Sequence, residues 1–395
     1  MAAWANTEVT SFQAYDYVEF DRQSSTTLAK HTREVEKAHI RDYPLAAQLN
    51  AAGRWKKNQS GRGFDWNVQY KRGTVRGNRM VETLHSSPKQ RYKIAALPDR
   101  GFYADDAISE LEVLQNRSPE GIIRIIDNLV ENIREDLEQV IPHVYFYDGE
   151  ATGYTEYWHG FESFFATNGT INSSTQAQRA ANQADICGYP YDTYAGLSTE
   201  LGGLGGSAHD TVSATNCWPY RNTDAEYEAW SPLVVIANST HSNFSGASDN
   251  FATQGDEAIR FAIVHQGRFG RKVASTTGLM DRQLWFQLKN LLDDKERIQI
   301  QRGDKQSLVA LGFTDVINFD GVELTWDNAV PSNCCYGYSY NALSGRSLYS
   351  NLIQSFGPRY DFMKQKHEAV CKVGGNLRFK SPRNFWKVVA THSQT

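Results

Sequence analysis

Cysteine and methionine are scarce in this 395-residue chain, with five and four residues. The cysteines (Cys187, Cys217, Cys334, Cys335 and Cys371) are odd in number, two are adjacent, and none forms a CxxC pair. That excludes a disulfide framework and a zinc finger and fits a reducing compartment. No stretch approaches the roughly 18 apolar residues a membrane helix needs, so no membrane partner is expected. Met1 to Thr10 lacks a charged stretch followed by an apolar run, so no signal peptide is expected either. Net charge is only −4, and nothing global points to nucleic-acid binding. No internal repeat is found. With 40% hydrophobic residues, the chain is long enough for two or three packing units.

What is present begins with one helix-period segment, Pro119 to Val144. Ile122, Ile126, Leu129, Ile133, Leu137, Val140 and Val144 recur at spacings of three and four, which keeps them on one helical face. Ser118 suits the cap and Pro119 the first turn. Pro142 should end the regular part near Ile141, giving about 35 Å of helix. Its outer face carries Asp127, Glu131, Glu135, Asp136 and Glu138. Charge is divided sharply along the chain. Arg54 to Arg100 holds twelve Lys/Arg against three acids, a balance of +9. Asp105 to Glu162 holds fourteen acids against three Arg, a balance of −11. Two separate solvated surfaces would account for this, and so would copies packing on copies.

Residues 1–60 read as an arm, with a charged helical stretch from Thr27 to Asn50 broken at Pro44. Residues 61–103 read as a long hairpin. Phe64, Trp66, Val68 and Tyr70 alternate with Asp65, Asn67, Gln69 and Lys71, a strand with one apolar face. Gly73 and Gly77 with Arg72, Arg76 and Arg79 suit an exposed tip, and Tyr92 and Ile94 begin the return. Such an excursion cannot make a core alone and must lie on its own body or on a neighbour. Further on, Trp230 to Ile236 reads as a buried strand. Helices are expected at about Thr253–His265 and Asp281–Arg297, the latter with Leu284, Trp285, Leu288, Leu291 and Leu292 as its buried stripe. Asp320-Gly321 is a two-residue hairpin signal. The mixture is α+β without alternating βα units.

Signals for catalysis are thin. Gly202 to Ser207 lacks the lysine of a phosphate loop, and Ala208 breaks the GxGxxG pattern. His159 with Glu162, and His367 with Glu368, lack the second histidine of an HExxH metal site. No GxSxG elbow occurs. Cys187 or Cys217 with His209 is a pairing most chains this long contain by chance. No catalytic residue, cofactor or metal is expected.

The order of elements is basic arm, long β excursion, long helix, loop-rich middle with a Trp-containing strand, two helices, then terminal strands. That order resembles the major capsid proteins of tailed phages, the Hong Kong 97-like fold. Local stretches add to the likeness. Asp192-Thr193-Tyr194-Ala195-Gly196-Leu197 is similar to the family's "GTYGG-I" stretch, with Asp192 in place of Gly. Gly321-Val322-Glu323-Leu324-Thr325-Trp326-Asp327 followed by Val330-Pro331 is similar to "G-x-x-V-x-x-D…P". Tyr338 to Leu343 is similar to the family's "Y-x-L-N…L" continuation, and Asn376 to Phe385 resembles its closing strands. The likeness spans roughly residues 60–390.

The resemblance implies an N-terminal arm (1–60), an extended β-hairpin loop (61–103), a peripheral domain with a spine helix (104–150 and 333–395) and an axial domain (151–332). It implies self-assembly as pentamers and hexamers into an icosahedral virion shell around double-stranded DNA, put together in the host cytoplasm. A separate scaffolding protein and a portal protein are implied as partners, with decoration proteins a further option. The DNA would be enclosed without sequence-specific binding. On this reading Phe64, Trp66 and Val68 bury apolar surface on a neighbouring copy, and Lys71, Arg72, Arg76 and Arg79 lie over its Glu131, Glu135 and Glu138. Two alternatives stand beside it: an encapsulin-type compartment shell, and a carbohydrate-binding protein or enzyme using the Trp/Tyr content.

Overall fold

The computed structural model describes residues 43–70, 90–115, 125–165, 187–188, 193–199, 230, 232–237, 251–267, 275–293 and 315–390. In chain order, helix α1 is Pro44–Ala51, followed by strands β1 (Trp55–Lys56), β2 (Gly63–Gln69), β3 (Tyr92–Pro98) and β4 (Arg100–Ser109). Helices α2 (Glu110–Gln115), α3 (Ile125–Val144) and α4 (Glu162–Phe165) come next, then β5 (Cys187–Gly188), β6 (Thr193–Tyr194), β7 (Leu197–Ser198) and β8 (Leu233–Ile236). Helix α5 (Phe251–Gly267), β9 (Thr277–Met280) and α6 (Arg282–Asp293) lead into β10 (Ile317–Phe319), β11 (Val322–Trp326) and β12 (Cys334–Tyr338). The chain closes with β13 (Leu343–Ser347), β14 (Ile353–Asp361), β15 (Lys366–Phe379) and β16 (Trp386–Val389). This is the α+β mixture expected.

Two compact units result. The described residues of the first fall in Phe102–Val140 and Ile353–Val373, and those of the second in Asp42–Gly101, Ile141–Leu352 and Gly374–Thr395. The division passes through α3 and through β15.

The second unit is built on a seven-stranded sheet of order β10-β11-β9-β12-β16-β8-β5. Strand alternation sends Cys335, Trp386 and Val388 into one core. There they meet Phe251, Ala258, Ile259 and Ala262 of α5 and Leu284, Trp285 and Leu288 of α6, all spaced for one helical face. Each fully buried Leu, Val or Phe in that layer contributes about 1.5–3 kcal/mol. The intervening residues of β12, Tyr336 and Tyr338, join an aromatic cluster around Phe161, whose ring lies 4.9 Å from Phe379 and 5.5 Å from Tyr336. Gly337 stands between them because Trp386 covers it: a Cβ there would lie 1.8 Å from the indole. The Asp320-Gly321 turn joins β10 to β11 with both residues at positive φ (48° and 85°), as a two-residue hairpin requires. β12 and β16 come from the 333–395 segment that the resemblance assigns to the spine-helix domain, yet β12 pairs with β9 and β16 with β8 of the middle segment.

Helix α1 starts at Pro44, after an extended Tyr43, since a proline lacking its N–H is tolerated in the first turn; the helical stretch expected before it lies outside the described residues. Tyr43 offers no side-chain cap. The carboxylate of Asp327 does the capping from across the fold, accepting the N–H of Leu45 at 3.3 Å and of Ala329 at 2.9 Å. Gln48 of the same helix donates to Thr277 at 3.1 Å and accepts the Tyr338 hydroxyl at 2.5 Å. β1 pairs in parallel with β13. Residues 43–56 of the expected arm are thus docked on the chain's own sheets.

In the first unit, β14 pairs with the first half of β15, and β4 also joins β15. Tyr360 donates to Glu110 at 2.5 Å, and the Glu110 N–H to the Gln365 carbonyl at 3.0 Å, which holds the β14–β15 hairpin beside α2. On helix α3, Leu129, Ile133 and Leu137 are buried, as are Ile141 and Val144 of its last turn, which contains Pro142. Val140, expected in the stripe, is exposed on the flank instead. The expected start of this helix, residues 118–124, lies outside the described residues.

Candidate inter-subunit surface

The base of the long hairpin forms as read, with β2 and β3 in register from Gly63↔Pro98 to Gln69↔Tyr92. Pairing places Phe64, Trp66 and Val68 on one face with Leu97, Ala95 and Lys93, and Asp65, Asn67 and Gln69 on the other with Ala96, Ile94 and Tyr92.

The inner face packs on this chain's own body. The Arg378 guanidinium lies 5.1 Å over the Phe64 ring and 5.4 Å over Trp66. The Trp66 ring sits 6.3 Å from Trp230, and its indole N–H donates to the Lys380 carbonyl at 3.2 Å. Ala95 and Leu97 are fully buried. Phe64, Trp66 and Val68, read from the sequence as the face that meets a neighbour, are therefore half-buried within the subunit.

Two clamps hold the root. Arg346 donates to the carbonyls of Gly61 (3.0 Å) and Gly63 on one side and pairs with Asp99 at 3.1 Å on the other, bridging both strands. Burial raises the Asp99 carboxyl and Arg346 opposes that. A short hairpin, β6–β7, supplies the second clamp. Its turn carbonyl, Ala195, accepts the Ala96 N–H at 3.2 Å, and its Tyr194 hydroxyl accepts the Phe379 N–H at 2.9 Å. Ala195 and Gly196 both have positive φ, 53° and 75°. The sequence motif around Tyr194 was visible. Arg346, Arg378 and Trp230 carried no signal of this role, because an isolated arginine or tryptophan in a strand points to no particular partner.

What remains open is the outer face. Tyr92 is 56% exposed and Ile94 67%, two large apolar side chains among Asp65, Asn67 and Gln69. On α3, Glu131 and Glu138 are exposed and Glu135 half-buried; Arg134 pairs with Glu138 at 2.9 Å. The hairpin tip, with Lys71, Arg72, Arg76 and Arg79, lies outside the described residues.

No protein-family model and no curated protein sequence matches this chain. Solved structures do. A chain of the cyanophage A-1(L) capsid asymmetric unit is 15% identical with a TM-score of 0.57, covering 92% of this chain and 97% of that one. The capsid of a native GTA particle gives 11% identity and a TM-score of 0.54, with 91% and 94% covered. The capsid of Myoviridae phage XM1 gives 11% and 0.50, with 92% and 97% covered.

This chain has a capsid-protein fold. Within that fold several of the residues weighed for chemistry have structural partners. His159 is buried, and desolvation, followed by the nearby Arg100 charge, lowers its pKa to about 3, so it stays neutral. Glu162 is buried too; it accepts the Tyr336 hydroxyl and pairs with Lys387 at 2.7 Å. Burial works against the Lys387 charge, but Glu162 and Cys334 together hold its pKa raised. Cys334, Cys335 and Cys371 are buried free thiols, and burial pushes the first two up. His367 packs 5.0 Å from Tyr360, and Glu368 pairs with Lys364. The Gly202–Ser207 stretch, His209 and Cys217 lie outside the described residues. Among the described residues, no cluster of three or more His, Cys, Asp or Glu could hold a metal, and no helix is long and apolar enough to cross a membrane.

Proposed function

We propose that this chain is the major capsid protein of a tailed phage, assembling as pentamers and hexamers into the icosahedral shell that encloses double-stranded DNA. The observation that carries the reading is likeness to capsid chains over nearly the full length of both partners. The hairpin adds to it. Its root is clamped by Arg346 and Ala195, while its outer face presents Tyr92 and Ile94. A rigid root with an apolar outer face suits a projection that completes itself on another copy. Lys71, Arg72, Arg76 and Arg79 at the tip would meet Glu131, Glu135 and Glu138 of the neighbour's α3. Exposed ion pairs of this kind give at most about 1 kcal/mol each, so they orient contacts that apolar burial stabilises. A separate scaffolding protein, a portal and decoration proteins are the partners this role calls for, with assembly in the host cytoplasm and residence in the virion. A near-neutral net charge of −4 suits a shell filled by a motor, since charge neutralisation of DNA would need a basic lining.

The test is expression with and without a co-expressed scaffold, followed by sedimentation and negative-stain microscopy. Closed shells or capsomers are expected. A protein that remains monomeric under all conditions refutes the reading. Replacing Arg72, Arg76 and Arg79 by Glu should reduce shell yield and remove its salt dependence; unchanged yield and salt response would rule out the tip-to-helix contact.

A further inference from the structure

A cavity of about 360 Å³ lies beside β2, lined by Trp66, Asn67 and Val68, by Trp230, and by Lys380 and Asn384 among others. We infer that it binds an extended, carboxylate-bearing peptide segment, taken up as an added strand along β2. This inference stands apart from the shell reading and does not rest on it.

Three observations point there. The first is the strand edge. The Tyr70 N–H donates to the Arg91 carbonyl, so the even-numbered residues of β2 exchange bonds with β3. The backbone groups of Asp65 and Asn67 then point to the opposite edge, where among the described residues no strand pairs, and Asn67 lines the cavity. Such an edge is a template for an incoming strand. The second is a pair of orphaned polar atoms. Trp230 is 1% exposed and its indole N–H has no acceptor; Asn384 is 9% exposed and its side-chain carbonyl has no donor. Buried groups of this kind normally have partners. A ligand meeting both must accept one hydrogen bond and donate another. A peptide group does both, whereas a bare anion only accepts. The third is charge: among the described residues the charged side chains lining the cavity, Lys380 and Arg383, are both cations. The exposed Lys380 ammonium favours a carboxylate on the incoming segment.

The experiment uses the full chain and a blocked peptide of its own residues 7–21, which carry Glu8, Asp16, Glu19 and Asp21 and no Lys or Arg. Binding is followed by tryptophan fluorescence and calorimetry. Saturable binding is expected, with a twin peptide bearing Asn and Gln in place of Asp and Glu at least about tenfold weaker. A version N-methylated at alternate backbone positions should lose binding, since strand addition needs its N–H groups. Lys380→Glu, on an exposed side chain, should weaken the acidic peptide by a similar factor; Arg383→Glu serves as a second variant, with circular dichroism as the fold check. Absence of saturable binding, equal binding of the twin, or retained binding of the N-methylated peptide overturns the inference. So does equal binding of an acidic oligogalacturonate or competition by inorganic phosphate at the same concentration.

Discussion

Opposite faces of one hairpin should fail in opposite ways when altered. Ile94 projects from the outer face with two-thirds of its surface in water. Replacing it by Asp should change the stability of the isolated subunit by no more than about 0.5 kcal/mol, the usual range for a surface site. If Ile94 is buried on a second copy, full burial of such a side chain gives about 1.5–3 kcal/mol, and the part still available here is about 1–2 kcal/mol per contact. A carboxylate taken from water into that contact adds a further penalty of several kcal/mol. Each copy repeats the loss, so assembly should collapse while the fold persists. Trp66→Ala on the inner face should do the reverse. It removes the ring lying on Trp230 and under Arg378, together with the hydrogen bond to Lys380, and large-to-small changes at buried aromatics cost about 3–5 kcal/mol, less at a half-buried site. Urea denaturation followed by fluorescence measures the first quantity; sedimentation velocity and negative-stain counts measure the second. If Ile94→Asp gives shells at the parental yield, or Trp66→Ala leaves the denaturation midpoint unmoved, the division of labour between the two faces is wrong.

Three further outcomes are expected. Lys387→Met should destabilise the subunit by about 3–5 kcal/mol because Glu162 is left buried without its ion-pair partner, while the double variant with Glu162→Gln should recover most of that loss in a denaturation cycle. The raised Lys387 pKa means that its contribution is present at neutral pH and fades only as pH rises through its folded value, in the alkaline range. Gly337→Ala should cost about 1–3 kcal/mol or more by overpacking against Trp386, read as a lowered melting temperature. His159 and Asp327 should pull the pH profile in opposite directions. Burial lowers His159 from 6.5 to about 3, so its unfolded form binds the extra proton and stability falls as pH drops below 6.5. Burial raises Asp327 from 3.8 to about 6, against the two backbone N–H groups it accepts, so stability falls as pH rises through that interval. Each slope reaches about 1.4 kcal/mol per pH unit, and between about pH 4 and 6 they offset. His159→Phe should therefore tilt the denaturation profile downward with pH in that window and Asp327→Asn upward, relative to the parent; a lack of tilt in either variant contradicts the assignment.

Local periodicity made the elements legible. The alternation from Phe64 to Tyr70, the α6 stripe of Leu284, Trp285 and Leu288, and the Asp320-Gly321 turn all appear where the sequence placed them, because each depends on neighbours a few residues away. Pro44 was legible as a helix boundary, because a proline lacking its N–H is tolerated in a first turn and not further in. The partners of the hairpin's apolar face were hidden for a different reason. Trp66 and Lys380 are 314 residues apart in the chain, and the pairing of β12 and β16 with the middle strands is non-local too. Alternation shows that a face will be covered without saying by what. That gap placed Phe64, Trp66 and Val68 on a neighbour in the sequence reading and left Tyr92 and Ile94 on the return strand unweighed.

The seating of Trp66 also imposes an order of events. The ring that anchors the hairpin waits for Trp230, Arg378 and Lys380, the last of these 314 residues further along the chain. A chain emerging from the ribosome amino end first cannot fix this projection until those later residues have been made. Strand β2 is thus made long before the residues that seat it, and its inner face stays uncovered in the interval.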